Sequence, residues 1–286
     1  MSYLEILQGK SVAIVGLGYI GTRLFNFLTH LQRKSDFQII GVNRQNIRVL
    51  EEQEFDFVFN CAGNTGDFRC KPLETVESNI QLTTYLLRHC RISDTLVCLG
   101  STRIYGFTAD PETIFREGNL TPSNHMSADA LYDNAKKMME CLLLNTPRSY
   151  KRVVVRLSNV FGDYSSKELS DGTFLELMLQ HKIRNEKLTV RQNINSTKDY
   201  VFIEDALDGI LRAGTLSETS DVYNICSGKS YSVADWAHFL NLSIESTSNA
   251  PVSYSRVSNE KAGKELAFVS KFDLERLRLE DVIRYE

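Results

Sequence analysis

No two cysteines in the chain are spaced C-x-x-C, and its five histidines are scattered. A metal site needs clustered ligands, so none is expected. No window of roughly 18 residues is apolar throughout, which leaves no candidate for a membrane-spanning helix. The first residues, MSYLEILQGKS, lack the basic start and apolar core of a secretory signal. The formal charge is only −3, which gives no global electrostatic reason to bind nucleic acid or an acidic membrane. There is no internal repeat, low-complexity segment or Pro-rich linker. These exclusions leave a globular protein, expected in the cytosol. Its six cysteines lie mostly in apolar runs and are expected to be buried, reduced thiols.

What is present suits that class. The chain has 286 residues, 42% hydrophobic and 24% charged, enough for one large domain or two joined ones with a sizeable core. Short apolar runs at Lys10–Val15, Phe37–Val42, Phe55–Cys61, Thr95–Leu99 and Arg152–Leu157 read as strands. Helical patterns fall between them at Thr22–Leu31, Leu73–Cys90 and Ala128–Asn145. Near-continuous apolar strands alternating with helices imply a parallel sheet covered on both faces. The expectation is an α/β fold: a Rossmann-type doubly wound parallel sheet over residues 1–162, with a smaller C-terminal α/β substrate lobe over 163–286. In that lobe Leu188–Val190, Tyr200–Ile203 and Val222–Ile225 are strand candidates. The segment 199–215 is expected to pack back on the sheet.

Gly16-Leu17-Gly18-Tyr19-Ile20-Gly21 places G-x-G-x-x-G after the first strand and before a helix. The first glycine permits a tight turn, the second admits a pyrophosphate, and the third lets helix and strand pack closely. The free N–H groups of the helix start then face the phosphate. At the tip of the second strand stand Asn43 and Arg44, where NAD-binding proteins carry an acid for the ribose hydroxyls. An arginine there accommodates a 2′-phosphate, which favours NADP over NAD.

Tyr132 and Lys136 form Y-x-x-x-K, four residues apart on one helical face. A phenol ionises near ~10, too high for a base at neutral pH. A lysine beside it is expected to bring that value down. The pair can then exchange the proton of a substrate hydroxyl while hydride moves to or from a nicotinamide. Alone, the spacing is a common coincidence. Ser101 and Thr102, just past the strand Thr95–Leu99, add hydroxyls where parallel sheets bind ligands.

Together these residues resemble the extended short-chain dehydrogenases/reductases, the NAD-dependent epimerase/dehydratase family. The likeness is ordered and covers nearly the whole chain. Asn60-Cys61-Ala62-Gly63 is similar to the segment that flanks the cofactor. Asn79 and Thr83 match N-x-x-x-T, and Ser101–Gly106 resembles the S-x-x-x-Y-G loop. Arg156–Gly162 resembles R-x-x-N-V-x-G, Lys198–Asp205 resembles R-D-[FY]-[IV]-x-V-x-D, and Tyr223-Asn224-Ile225 with Gly228 resembles Y-N-[IV]-x-x-G.

The resemblance implies Ser101, Tyr132 and Lys136 as catalytic residues, with Lys136 also on the nicotinamide ribose. It implies a cofactor held by Gly16, Gly18, Tyr19, Ile20, Gly21, Asn43, Arg44, Cys61, Ala62, Gly63 and Asn79. It also implies a sugar-nucleotide substrate met by Ser101, Thr102, Asn159 and Lys198, and a homodimer formed through helices that include the one bearing Tyr132.

Four departures stand out. The glycine turn is one residue shorter than usual in the family. The span from Asn43 to Phe55 is too short for the usual helix, strand and helix. Lys198 replaces an arginine, keeping its charge but losing the bidentate fork. Thr102-Arg103 stands where 4,6-dehydratases carry Asp-Glu, which argues against water elimination. The expected activity is therefore hydride transfer at a sugar carbinol or ketone, as a reductase or an epimerase. Two alternatives are an NAD(P)-dependent reductase of a non-nucleotide substrate and a non-catalytic NAD(P) sensor. The retained Ser101, Tyr132 and Lys136 oppose the sensor. Asn159 and Lys198 oppose the non-nucleotide substrate. The loops 107–126 and 163–172 are expected to decide the base and the sugar.

Overall fold

The computed structural model describes residues 3–63, 68–119, 121, 125–127, 130–166, 169 and 173–284. Six parallel strands make the main sheet: β1 (Ser11–Val15), β2 (Gln38–Val42), β3 (Glu54–Asn60), β4 (Arg91–Ser101), β5 (Lys151–Leu157) and β6 (Asp221–Ile225). Their spatial order is β6-β5-β4-β3-β1-β2. Side chains alternate between the two faces, and both faces are apolar. Val12 and Ile14 of β1, Phe57 and Phe59 of β3, and Val97 and Leu99 of β4 join one core. Ala13, Val15, Val58, Leu96 and Cys98 join the opposite one. This is why the strands read as unbroken apolar runs instead of alternating ones.

From β1 the chain passes to β2 on one side and then to β3 on the other. That reversal opens a crevice beyond the carboxyl ends of β1 and β3, the usual ligand position in such sheets. Between β2 and β3 there is only a short helix, Val49–Glu52, and no strand. The segment therefore lacks the strand that the family carries there, as its length predicted.

Two sequence readings are corrected. The stretch 73–90 is not one regular helix. Pro72–Val76 and Leu82–His89 flank a π-helical turn, Glu77–Gln81. The wider turn swings Asn79 inward, where it is 2% exposed. Not all cysteines are buried, since Cys70 and Cys141 are exposed. The periodic helix of the catalytic pair spans Ala130–Asn145. Residues 128 and 129, where the sequence reading begins it, lie outside the described residues.

The lobe has its own core, built around Trp236, Phe161, Tyr200 and Phe272, whose rings meet mostly edge-on. Its strand Thr197–Phe202 pairs with Ser230–Ser232, with Tyr254–Val257 and, through Tyr200–Phe202, with Asn159–Phe161. Lobe and sheet exchange strands. Ile114–Phe115 pairs with Tyr254–Val257 in the lobe. β6, whose residues Val222–Ile225 read from sequence as a lobe strand, closes the main sheet beside β5. The helix Ile203–Leu216 packs on β3, β4, β5 and β6. No helix among the described residues is long and apolar enough to cross a membrane.

Two glycines let that helix lie close to the sheet. A Cβ on Gly214 would come within 2.6 Å of Phe59 and 3.0 Å of Val97, both fully buried. Gly214→Ala is therefore expected to destabilise the protein by about 1–2 kcal/mol, because overpacking outweighs the better helix propensity of alanine. Urea unfolding checks this; an unchanged or raised midpoint would show that the sheet can yield there.

Candidate active site

The carboxyl ends of β1, β3, β4, β5 and β6 lie side by side. Val15 is in register with Asn60, Asn60 with Cys98, and Leu157 with both Ser101 and Ile225. Each sequence-predicted group follows one of these ends or lies against it.

The turn after β1 shows a separate use for each glycine. Gly16 has φ +86°, and a Cβ on it would meet the Ala62 backbone at 2.6 Å. A Cβ on Gly21 would lie 1.9 Å from the Gly16 carbonyl oxygen, so only glycine lets the helix Tyr19–Gln32 start this close to β1. A Cβ on Gly18 would meet nothing within 4 Å, so the chain surface is open there. No side chain caps the helix, and its first N–H groups, including those of Ile20 and Gly21, have no partner within the helix. That is a cradle for an anion. The side chain of Tyr19 turns elsewhere. Its hydroxyl donates to the Gly162 carbonyl at 2.5 Å, and its ring stacks on Tyr164. Tyr19 therefore offers the cradle only its backbone. Asn43 and Arg44 are exposed beyond β2, where Asn43 accepts from the Gln45 N–H at 2.8 Å.

On the helix Ala130–Asn145, Tyr132, Lys136 and Glu140 form a buried polar stripe at four-residue steps, 6%, 3% and 6% exposed. Each is satisfied by the sheet edge. Tyr132 takes a hydrogen bond from Ser101. Lys136 donates to the Leu99 carbonyl at 2.7 Å. Glu140 accepts from the Arg156 guanidinium at 2.7 to 3.2 Å. Burial of such groups is tolerable only with partners like these.

Segment 61–63 runs from the glycine turn to this stripe. A Cβ on Gly63 would lie 3.3 Å from Lys136 Nζ and 3.7 Å from Asn79 Oδ1. Asn79 donates to the Thr75 carbonyl at 2.8 Å, and its buried Oδ1 has no hydrogen-bond partner among the described residues. The open glycine, the uncapped helix and this orphaned acceptor fit a dinucleotide laid along the crevice. Asn159 begins two residues past Leu157, is exposed, and donates to the Asp199 carbonyl at 2.7 Å. Lys198 Nζ lies 5.6 Å from the Phe107 ring centre. Thr102 is buried behind the strand end.

One electrostatic expectation is overturned. Burial pushes the Tyr132 phenol up to about 12, and the groups that oppose this are Ser101 and Arg103. Lys136 Nζ is 5.9 Å from the Tyr132 ring centre and donates to Leu99, and burial pushes its own value down to about 8. Three residues missed by the sequence reading enclose the phenol. Phe68 packs 5.3 Å from its ring, and Arg103 and Asp133 form an ion pair at 2.9 Å beside it. Arg103 was legible only as a departure from the dehydratase pair. Phe68 carried no local signal.

The profile of the NAD dependent epimerase/dehydratase family matches residues 13–226. UDP-glucuronic acid decarboxylase 3 of Arabidopsis thaliana is 22% identical over 203 residues, 67% of this chain and 57% of that protein. The chain spans about half the length of the curated relatives it matches. Among solved structures, MoeE5 in complex with UDP-glucuronic acid and NAD superposes with a TM-score of 0.76 at 17% identity, covering 93% of this chain and 95% of that one. RMD from Pseudomonas aeruginosa complexed with NADPH superposes at 0.74 and 19% identity, covering 93% and 94%.

The buried ammonium has a measurable cost. Its folded value of about 8 lies below the ordinary 10.5, so the folded protein binds fewer protons than the unfolded one in between. The penalty is complete below about pH 8 and is relieved as pH rises toward 10.5. Lys136→Met is expected to raise the melting temperature at pH 7, by at most about 3 kcal/mol of stability. The advantage should close across that window. A difference independent of pH would show that Lys136 carries no such penalty.

Proposed function

This chain belongs to the NAD-dependent epimerase/dehydratase family, and from that premise we propose that it transfers hydride at a carbinol or ketone carbon of a sugar carried on a nucleotide. The observation that carries the reading is the convergence of Ser101, Tyr132 and Lys136 beside the open glycine turn. The cofactor lies on residues 1–162, along Gly16, Gly18, Ile20, Gly21, Cys61–Gly63 and Asn79. The sugar nucleotide lies against residues 163–286, with its diphosphate toward Asn159 and Lys198. A bound nicotinamide dinucleotide supplies or accepts the hydride.

The chain's own residues handle the proton and the geometry. Ser101 holds the reacting oxygen beside the Tyr132 hydroxyl. Tyr132 gives that oxygen a proton in reduction and takes it back in oxidation. Lys136 holds the ribose hydroxyls. A phenol pushed up to about 12 rests protonated at neutral pH, the form that donates in reduction. Exposed Arg44 beyond β2 supports NADP over NAD. Six unpaired cysteines support a cytosolic protein. Exposed Met138 and Cys141 on the outer face of the catalytic helix support a homodimer.

Tyr132→Phe is expected to lower turnover of nucleotide-linked keto sugars by about 10²–10⁴-fold. Cofactor affinity, followed by calorimetry, should hold. Full turnover by this variant would sink the mechanism. Arg44→Glu is expected to weaken NADPH binding about tenfold while sparing NADH. An equal loss for both cofactors would remove the preference for NADP.

A further inference from the structure

Arg103 takes no part in the glycine turn, in the Ser101–Tyr132–Lys136 group or in the diphosphate contacts. It sits in the tight 3₁₀ turn Thr102–Tyr105 that follows β4. Ser101 caps that turn, its hydroxyl oxygen accepting from the Arg103 N–H at 3.2 Å. The cap brings the Arg103 side chain to the catalytic helix, where Nε donates to Asp133 Oδ1 at 2.9 Å. Its guanidinium carbon lies 5.7 Å from the Tyr132 ring centre and 5.0 Å from that of Phe68. Phe68 in turn packs at 5.3 Å on Tyr132. An ion pair and an aromatic ring thus hold a cation beside the buried phenol, and this cation never titrates.

Among the described residues, the other charged and titratable groups around Tyr132 are few. Its own helix carries Asp133, Lys136, Lys137 and, a turn further, Glu140. Arg69 lies 5.0 Å over the Phe68 ring. The thiols of half-buried Cys61 and buried Cys98 act on Lys136. β4 brings only the Ser101 hydroxyl and the Leu99 carbonyl. Lys136 is about as far from the ring as Arg103 and keeps its charge while bonded to the Leu99 carbonyl, so it acts beside Arg103 and in the same direction.

We propose that Arg103 is a positioning residue that sets the acidity of Tyr132 through its fixed charge, with Asp133 opposing it. This rests on Tyr132 being the acid/base. The two residues flank one phenol with opposite signs, so their removal must act in opposite directions. A merely structural role for the ion pair would move both variants the same way.

The test is carbon-13 NMR of protein labelled at the tyrosine Cζ, with the Tyr132 resonance assigned by its absence in Tyr132→Phe. Phenolate content is compared at one alkaline pH at which all variants stay folded. Arg103→Gln is expected to lower the Tyr132 phenolate fraction about tenfold. Arg103→Lys should keep it within about twofold, because the charge is retained. Asp133→Asn should raise it. An unchanged fraction in Arg103→Gln, or a shift of Arg103→Gln and Asp133→Asn in the same direction, overturns the proposal. Turnover of Tyr132→Phe decides separately whether Tyr132 is the acid/base, whatever the NMR shows.

Discussion

Arg156 on β5 and Glu140 on the catalytic helix meet as a buried, multiply bonded ion pair. Broken on one side, such a pair leaves an uncompensated charge in a low-dielectric setting, so the helix has little freedom to slide along the sheet. Gly100 makes the approach possible, because a Cβ there would come within 2.8 Å of the Glu140 carboxylate. The same guanidinium donates to the Tyr105 hydroxyl at 2.7 Å and to the Glu117 carbonyl at 3.0 Å. Tyr105 donates to Asn224 of β6 at 2.8 Å. One cation therefore registers the helix, the loop after β4 and the last strand against one another. Lys136 and Tyr132, one and two turns back along the helix, are placed by that register.

A second set of contacts ties the cofactor turn to the lobe. Arg23, on the helix after the glycines, bonds both the backbone and the carboxylate of Asp163. Asp163 adopts a left-handed backbone (φ +52°) and also pairs with Arg284 at the chain's last described residue. Tyr19 reaches Gly162 beside it. The helix that would carry the phosphate is thus fastened to the segment that opens the substrate lobe. Both halves of the crevice share one frame. Tight placement at this edge coexists with groups that disfavour folding, such as a buried ammonium and a buried acceptor without a partner at Asn79.

Much of this was legible in the chain. Continuous apolar runs announced a two-faced parallel sheet, because alternate residues enter two different cores. The three glycines could be read individually, since each answers a local steric demand. The short interval after β2 predicted the missing strand by length alone. Three features resisted reading. Strand 221–225 has no local mark that sends it to the main sheet instead of the lobe. The π turn at 77–81, which turns Asn79 inward, has no local mark either. The ring of Phe68 reaches Tyr132 across more than sixty residues of sequence.

Spacing and residue type by themselves determined the dinucleotide turn, the Tyr132–Lys136 face and the family. These depend on contacts within a few residues, and a helix or a tight turn repeats them wherever the pattern occurs. Only the tertiary structure decided the acidity of Tyr132. Burial raises it, and the charges that act on it come from Arg103, brought by the loop after β4, and from Asp133 next in the chain. Lys136, four residues away and the obvious candidate in sequence, bonds a backbone carbonyl of β4. Electrostatic control passes to whichever charge the fold holds against the phenol, and proximity along the chain does not specify that charge.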